Sequence, residues 1–182
     1  MARVPYLEQS DLPPEHRELL ARPIALNRAM ANNPEASRAM SGLALYIRHK
    51  MKLDPRLREL AIIQVGYLTK QAYEYSHHVK IGREFGVTDD DIRAVAIETE
   101  GRASNLDPLS RTVLRAAREM TRDLAMSDAT FAALEKELGR AGVIDLALAI
   151  AFYNGVVRML GTLQIDVEPE YQKYLVEHPL PR

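Results

Sequence analysis

The run from Leu60 to Leu68 constrains this chain most: only Gln64 interrupts it with a polar side chain. A helix that is hydrophobic on all sides has no face to offer water, so it belongs at the centre of a helical core. Asp54 suits the cap of that helix, and Pro55 suits its first position, where no backbone N–H is needed. The pattern predicts a helix over 55–70. Glu59 stands at the head of the apolar stretch, and a carboxylate buried there needs a partner.

The following segment offers one. A helix is predicted over 72–85, ended by Gly86 as its cap. Positions 74, 77, 78, 81 and 85 share one face of it, because residues three and four apart are neighbours. Ile81 and Phe85 turn that face inward, so Glu74 and His78 meet in a buried place. The carboxylate favours the imidazolium and burial opposes charge, so such a pair can move a proton near neutral pH. In an antiparallel hairpin of the two helices, Glu59 lies near the same face. The plainer reading is a Glu–His pair that only stabilises its helix.

Glu74 to His77 is also an ExxH spacing. Di-metal bundles use two such motifs, and there is one here. A single metal ion on His77, His78 and Glu74 is a further reading, since imidazole and carboxylate suit several divalent metals. Tyr73, Tyr153 and Asn154 are candidates for substrate contact through polar groups that need partners when buried. Arg158 follows Asn154 by one helical turn and is suited to gripping a carboxylate through both ends of its fork. His49 reads as a charge facing the end of its own helix.

The remaining chain is helical in pattern and contains no alternating strand signal. Short helices are predicted near Glu15 and over 24–32, then one over 35–51 with Met40, Leu43 and Leu45 as its inner stripe. Thr88 caps another helix, residues 98–106 form a loop, and a helix runs from Pro108 to about Met126. Ser127 caps the next, and Gly142 separates it from a long apolar helix over 143–163. About eight or nine helices in one all-α domain over 1–182 are expected, with 55–70, 72–85 and 143–163 central. Prolines mark an N-terminal arm, 1–13, and a C-terminal arm, 166–182, that wraps a surface or a partner subunit.

A length of 182 residues suits one domain. The net charge of −1 provides no field for nucleic acid or an anionic membrane. Asp145, Asn154 and Arg158 make the apolar 143–165 stretch a buried helix rather than a membrane span. The N-terminus lacks the apolar core of a secretory signal. With no cysteine in the sequence, disulfides, thiolate metal sites and thiol redox chemistry are absent, which suits a cytoplasmic location.

The segment RELAIIQVGYLTKQAYEYSHHVKIGREFGVTDDDI resembles the carboxymuconolactone decarboxylase family, in the superfamily of AhpD-like alkylhydroperoxidases. The likeness is best over 55–95. In the peroxidase branch a Glu is followed by a CxxC pair and then a His. Here the Glu falls at Glu59, the two sulfur positions at Gln71 and Glu74, and the His at His78. The resemblance implies an AhpD-like helical bundle, assembly into homo-trimers or homo-hexamers, and decarboxylation of a small lactone acid without a cofactor. It makes His78 the proton-handling group, Glu74 and Glu59 its orienting partners, His77 a substrate-facing donor, and Gln71 a further candidate for substrate contact. The rival readings are a metal-dependent enzyme and a non-catalytic oligomer with a structural Glu–His cluster.

Overall fold

A computed structural model describes residues 2–181; the extreme ends of the two expected arms, Met1 and Arg182, lie outside the described residues. Among the described residues all regular structure is helical. The helices are α1 (Ala25–Met30), α2 (Pro34–His49), α3 (Pro55–Leu68), α4 (Ala72–Glu84), α5 (Asp89–Thr99), α6 (Pro108–Arg122), α7 (Asp128–Leu163) and α8 (Gln172–Glu177). Three short 3-10 turns, Gln9–Asp11, Pro14–Leu20 and Pro169–Tyr171, complete the order. The expected helix near Glu15 is thus a 3-10 turn.

Local chemistry explains the starts. Asp54 accepts from the backbone N–H groups of Arg56 and Leu57 at 2.8 and 3.2 Å. Asp107 does the same for Ser110, and Thr88 and Asp91 form a reciprocal capping box. In α3 every residue from Leu57 to Tyr67 is buried, and the helix packs against α4, α5, α6 and α7. It is the axis of the bundle, as its apolar circumference requires.

Helix α4 runs antiparallel to α3: Glu59 lies opposite His78, and Gly66 lies opposite Tyr75. A Cβ on Gly66 would sit 3.1 Å from the backbone N and Cα of Tyr75. The missing side chain therefore sets how closely the two helices approach.

Helix α7 is broken at Gly139 (φ 67°, ψ 170°), not at the predicted Gly142. The left-handed conformation is one that glycine reaches at no steric cost, whereas Gly142 stays helical. Beyond the break, α7 is long and apolar enough to cross a membrane. Its apolar side faces α3 and α6, with Leu146, Ala149, Ile150 and Leu160 in the core.

Helix α2 departs from its predicted stripe. Only Ser37 and Ile47 are buried, and Leu45 is 55% exposed. The helix packs on α1 and on the Pro14–Leu20 turn, and cavities rather than side chains fill the space toward α7. The C-terminal arm folds as the Pro169–Tyr171 turn and α8, and it covers α4 of its own chain. Tyr171, Tyr174 and His178 are buried there.

The Gly66 contact is testable. Gly66→Ala must push the α3–α4 backbones apart, which costs about 1–3 kcal/mol. The urea midpoint should fall with an unchanged denaturant slope.

Candidate active site

The buried carboxylate finds its partner across the hairpin. Glu59 Oε2 is 2.6 Å from His78 Nδ1, and Glu74 Oε1 is 2.9 Å from His78 Nε2. On the far side, Arg58 Nε donates to Glu59 Oε1 at 3.0 Å, and its Nη2 forms an ion pair with the same oxygen at 2.9 Å. Arg58 Nη1 also donates to the carbonyls of Ile47 and Arg48 at 3.4 and 3.2 Å, satisfying the end of α2. The Phe85 ring closes over the guanidinium at 4.8 Å. The result is a file of alternating charge, Arg58–Glu59–His78–Glu74, with all four side chains buried.

Environment sets the protonation of this file. Burial alone would lower the proton affinity of His78, but the charges of Glu59 and Glu74 outweigh it and hold its pKa up at about 9. For Glu59, burial acts upward, and the His78 and Arg58 cations overcome it and hold the carboxyl below its usual range. His78 is therefore an imidazolium at neutral pH.

His77 beside it is in the opposite state. Burial lowers its proton affinity more than the nearby Glu168 raises it. Its ring is stacked between Tyr73 and Tyr171, with centroids 4.1 and 3.5 Å away. Its Nε2 is 2.9 Å from Glu168 Oε2. Glu168 Oε1 accepts from the Tyr73 hydroxyl at 3.2 Å and from the Ala25 backbone N–H at 2.7 Å. Glu168 and Tyr171 come from the C-terminal arm, and neither was among the sequence candidates. No local signal marks them, because their contacts span some ninety residues of chain.

His77, His78, Glu74, Tyr73 and Tyr153 border one cavity of about 700 Å³, lined also by α1, α2 and the Pro14–Leu20 turn. Tyr153 sets its ring edge-on to His78 at 4.8 Å. Burial, with the fields of Glu74 and Glu59, raises the proton affinity of its phenol. Among the described residues its hydroxyl has no hydrogen-bond partner.

Three sequence candidates lie elsewhere. Gln71 caps α4, accepting from the Tyr73 N–H at 2.8 Å. Asn154 donates to Thr121 Oγ1 at 3.0 Å and to the Ile150 carbonyl at 3.1 Å. Arg158 is exposed and donates back to Asn154 Oδ1 at 3.0 Å. None of the three borders the cavity. The metal reading on His77, His78 and Glu74 does not fit either. Both ring nitrogens of His78 already face carboxylates, and among the described residues no group of three His, Asp or Glu side chains is arranged to hold an ion.

The chain is a helical bundle with an acid–imidazole file on its central hairpin, and the solved structures that share its fold include the following three. An uncharacterised peroxidase-related protein with an alkylhydroperoxidase AhpD core, from Ralstonia eutropha JMP134, aligns with TM-score 0.81 at 20% identity, covering 99% of this chain and 98% of its own. A debrominase in its apo form aligns with TM-score 0.80 at 21% identity, over 96% and 97% of the two chains. A peroxidase-related protein from Silicibacter sp. TM1040 aligns with TM-score 0.77 at 20% identity, over 99% and 94%. At these identities the likeness is one of fold. No curated protein matches the chain in sequence. Residues 34–119 match the carboxymuconolactone decarboxylase family. The matched segment contains Glu59, Glu74 and His78 without any cysteine.

The raised proton affinity of His78 has a thermodynamic consequence. Its pKa is about 9 folded and about 6.5 unfolded, so the folded state binds the proton more tightly. The resulting stability is complete below about pH 6.5 and disappears as the pH rises through about 9. Denaturant midpoints should decline across that window, and His78→Gln should remove this part of the decline.

Proposed function

We propose that this protein is a cofactor-free lyase, or a related proton-transfer enzyme, acting on a small carboxylated or lactone-like metabolite in the manner of a carboxymuconolactone decarboxylase. One observation carries the reading: an imidazolium is held between two buried carboxylates, and one of these, Glu74, borders the cavity. Both ring nitrogens of His78 are engaged, so its proton reaches the cavity through Glu74. His78 and Glu59 then act as the reservoir behind a carboxyl that meets the substrate. In a decarboxylation the carbon–carbon bond to the carboxyl group breaks and carbon dioxide leaves. The electron pair enters the unsaturated lactone; Glu74 takes the proton of the His78 imidazolium and delivers it to carbon, and His78 is reprotonated from solvent after product leaves. The Tyr153 phenol, kept protonated and unpartnered, is placed to donate to the oxygen on which negative charge develops.

Thiol peroxide reduction has no chemical basis in a sequence without cysteine. A cytoplasmic location and a trimeric or hexameric assembly belong to the same proposal.

The test is carbon dioxide release from a panel of unsaturated lactone carboxylates. Glu74→Gln and His78→Gln should each lower turnover by about 10²–10⁴-fold. Glu74→Gln should stay folded, and product formed in D₂O should carry a deuteron on carbon. A purely structural Glu–His cluster predicts instead a loss of stability with no turnover to lose.

A further inference from the structure

The wall of the cavity that carries the chemistry is electrically balanced, since Arg58 and His78 are offset by Glu59 and Glu74. The α2 wall of the cavity is not. Arg48, in the last turn of α2, borders the same cavity and is only partly exposed. Among the described residues its guanidinium makes no ion pair and no hydrogen bond. Nearby Arg38, by contrast, is held by Glu18 and Glu35. Arg22, also on the cavity wall and free of an acidic partner among the described residues, adds a second cation. A half-buried guanidinium without a counter-ion has lost part of its hydration without a replacement, so it is poised to take an anion.

A second observation fixes where Arg48 stands. The Arg58 guanidinium that grips Glu59 also donates to the Arg48 carbonyl at 3.2 Å. One buried side chain thus ties the backbone of the free cation to the acid–imidazole file. The Arg48 charge also acts on the Tyr153 phenol, opposing the fields of Glu74 and Glu59 there. The apolar side chains of Leu26, Met30, Phe152 and Val156 line the same cavity.

We propose that Arg48 is the specificity-determining residue of this cavity, holding a carboxylate of the substrate away from its reacting end while the body of the molecule lies toward Tyr153 and the His78–Glu74 wall. For the reaction this rests on the proposed function; the anion site itself does not. The guanidinium takes over the role that sequence spacing had suggested for Arg158, whose fork is turned back onto Asn154.

The probe is benzoate, compared by calorimetry with its neutral isostere benzamide and with inorganic phosphate. The intact protein should bind benzoate at least about tenfold more tightly than benzamide. Arg48→Met should abolish that preference and leave benzamide binding unchanged, while Arg158→Met should change neither. If Arg48→Met melts early, Arg48→Lys decides: it keeps the charge but loses the fork, and benzoate affinity should fall while benzamide affinity holds. Retention of the preference in the Arg48 variants overturns the proposal, as does its absence from the intact protein. Phosphate binding as tightly as benzoate also overturns it, because the site would then serve phosphoryl groups. Binding is read without turnover, so the benzoate preference and its loss in the Arg48 variants are decided whether or not the proposed reaction holds.

Discussion

The contact on which this structure depends is the 2.6 Å approach of Glu59 to His78. It joins the two central helices at a point closed to water. Through Arg58 it reaches the end of α2, and through Glu74 it reaches the cavity. Removing one partner from such a set strands the others as buried charges, which costs about 3–5 kcal/mol. Replacing an entire buried ion set with packed apolar residues is often neutral or stabilising. Stability alone therefore does not account for four alternating charges in the core of a bundle with ample apolar side chains. The carboxylates that offset the His78 charge also fix its charge state at neutral pH, which is what the proposed proton transfer requires.

The contrast with His77 sharpens the point. Adjacent histidines on one buried helix meet different partners, and their proton affinities move in opposite directions. His78 has a carboxylate at each ring nitrogen. His77 has one carboxylate at its edge and an aromatic ring on each face. The neutral member ties the C-terminal arm down. Glu168 binds His77, Tyr73 and the start of α1 together, so the arm braces two elements of the cavity wall. His77 thereby acquires a structural task beside whatever it offers a substrate.

What was legible in the sequence followed from local period. The all-round apolar α3, the inward face of α4 and the capped helix starts are each set by residues within a few positions of one another. Glu59, Glu74 and His78 could be aligned because the hairpin turn between α3 and α4 is short and both helices are regular. The rest depends on distant contacts. Glu168 and Tyr171 approach His77 only because the arm folds back. Asn154 and Arg158 keep the one-turn relation their spacing implies, but on a side of α7 that does not border the cavity. Spacing tells which residues share a face, and it does not tell which neighbour that face meets. The same gap hid Arg48, which looks like an ordinary helix-end cation until its missing partner is seen.

Positions 71 and 74, where the peroxidase branch places its sulfurs, have not become vacant. Gln71 accepts the Tyr73 N–H and so holds the first turn of α4. Glu74 puts a carboxylate on the cavity wall beside the retained His78. A thiol there would have exchanged electrons and been coupled to the histidine through its own ionisation. A carboxylate exchanges only protons, and it does so against an imidazolium already braced by Glu59. In the proposed reaction position 74 does acid–base work, and the Glu59–His78 contact across the hairpin backs it. In the proposed reaction the free Arg48 guanidinium has a place: proton transfer to carbon needs a substrate held in register with Glu74, and a fixed cation on the α2 wall of the same cavity would supply that register for an anion.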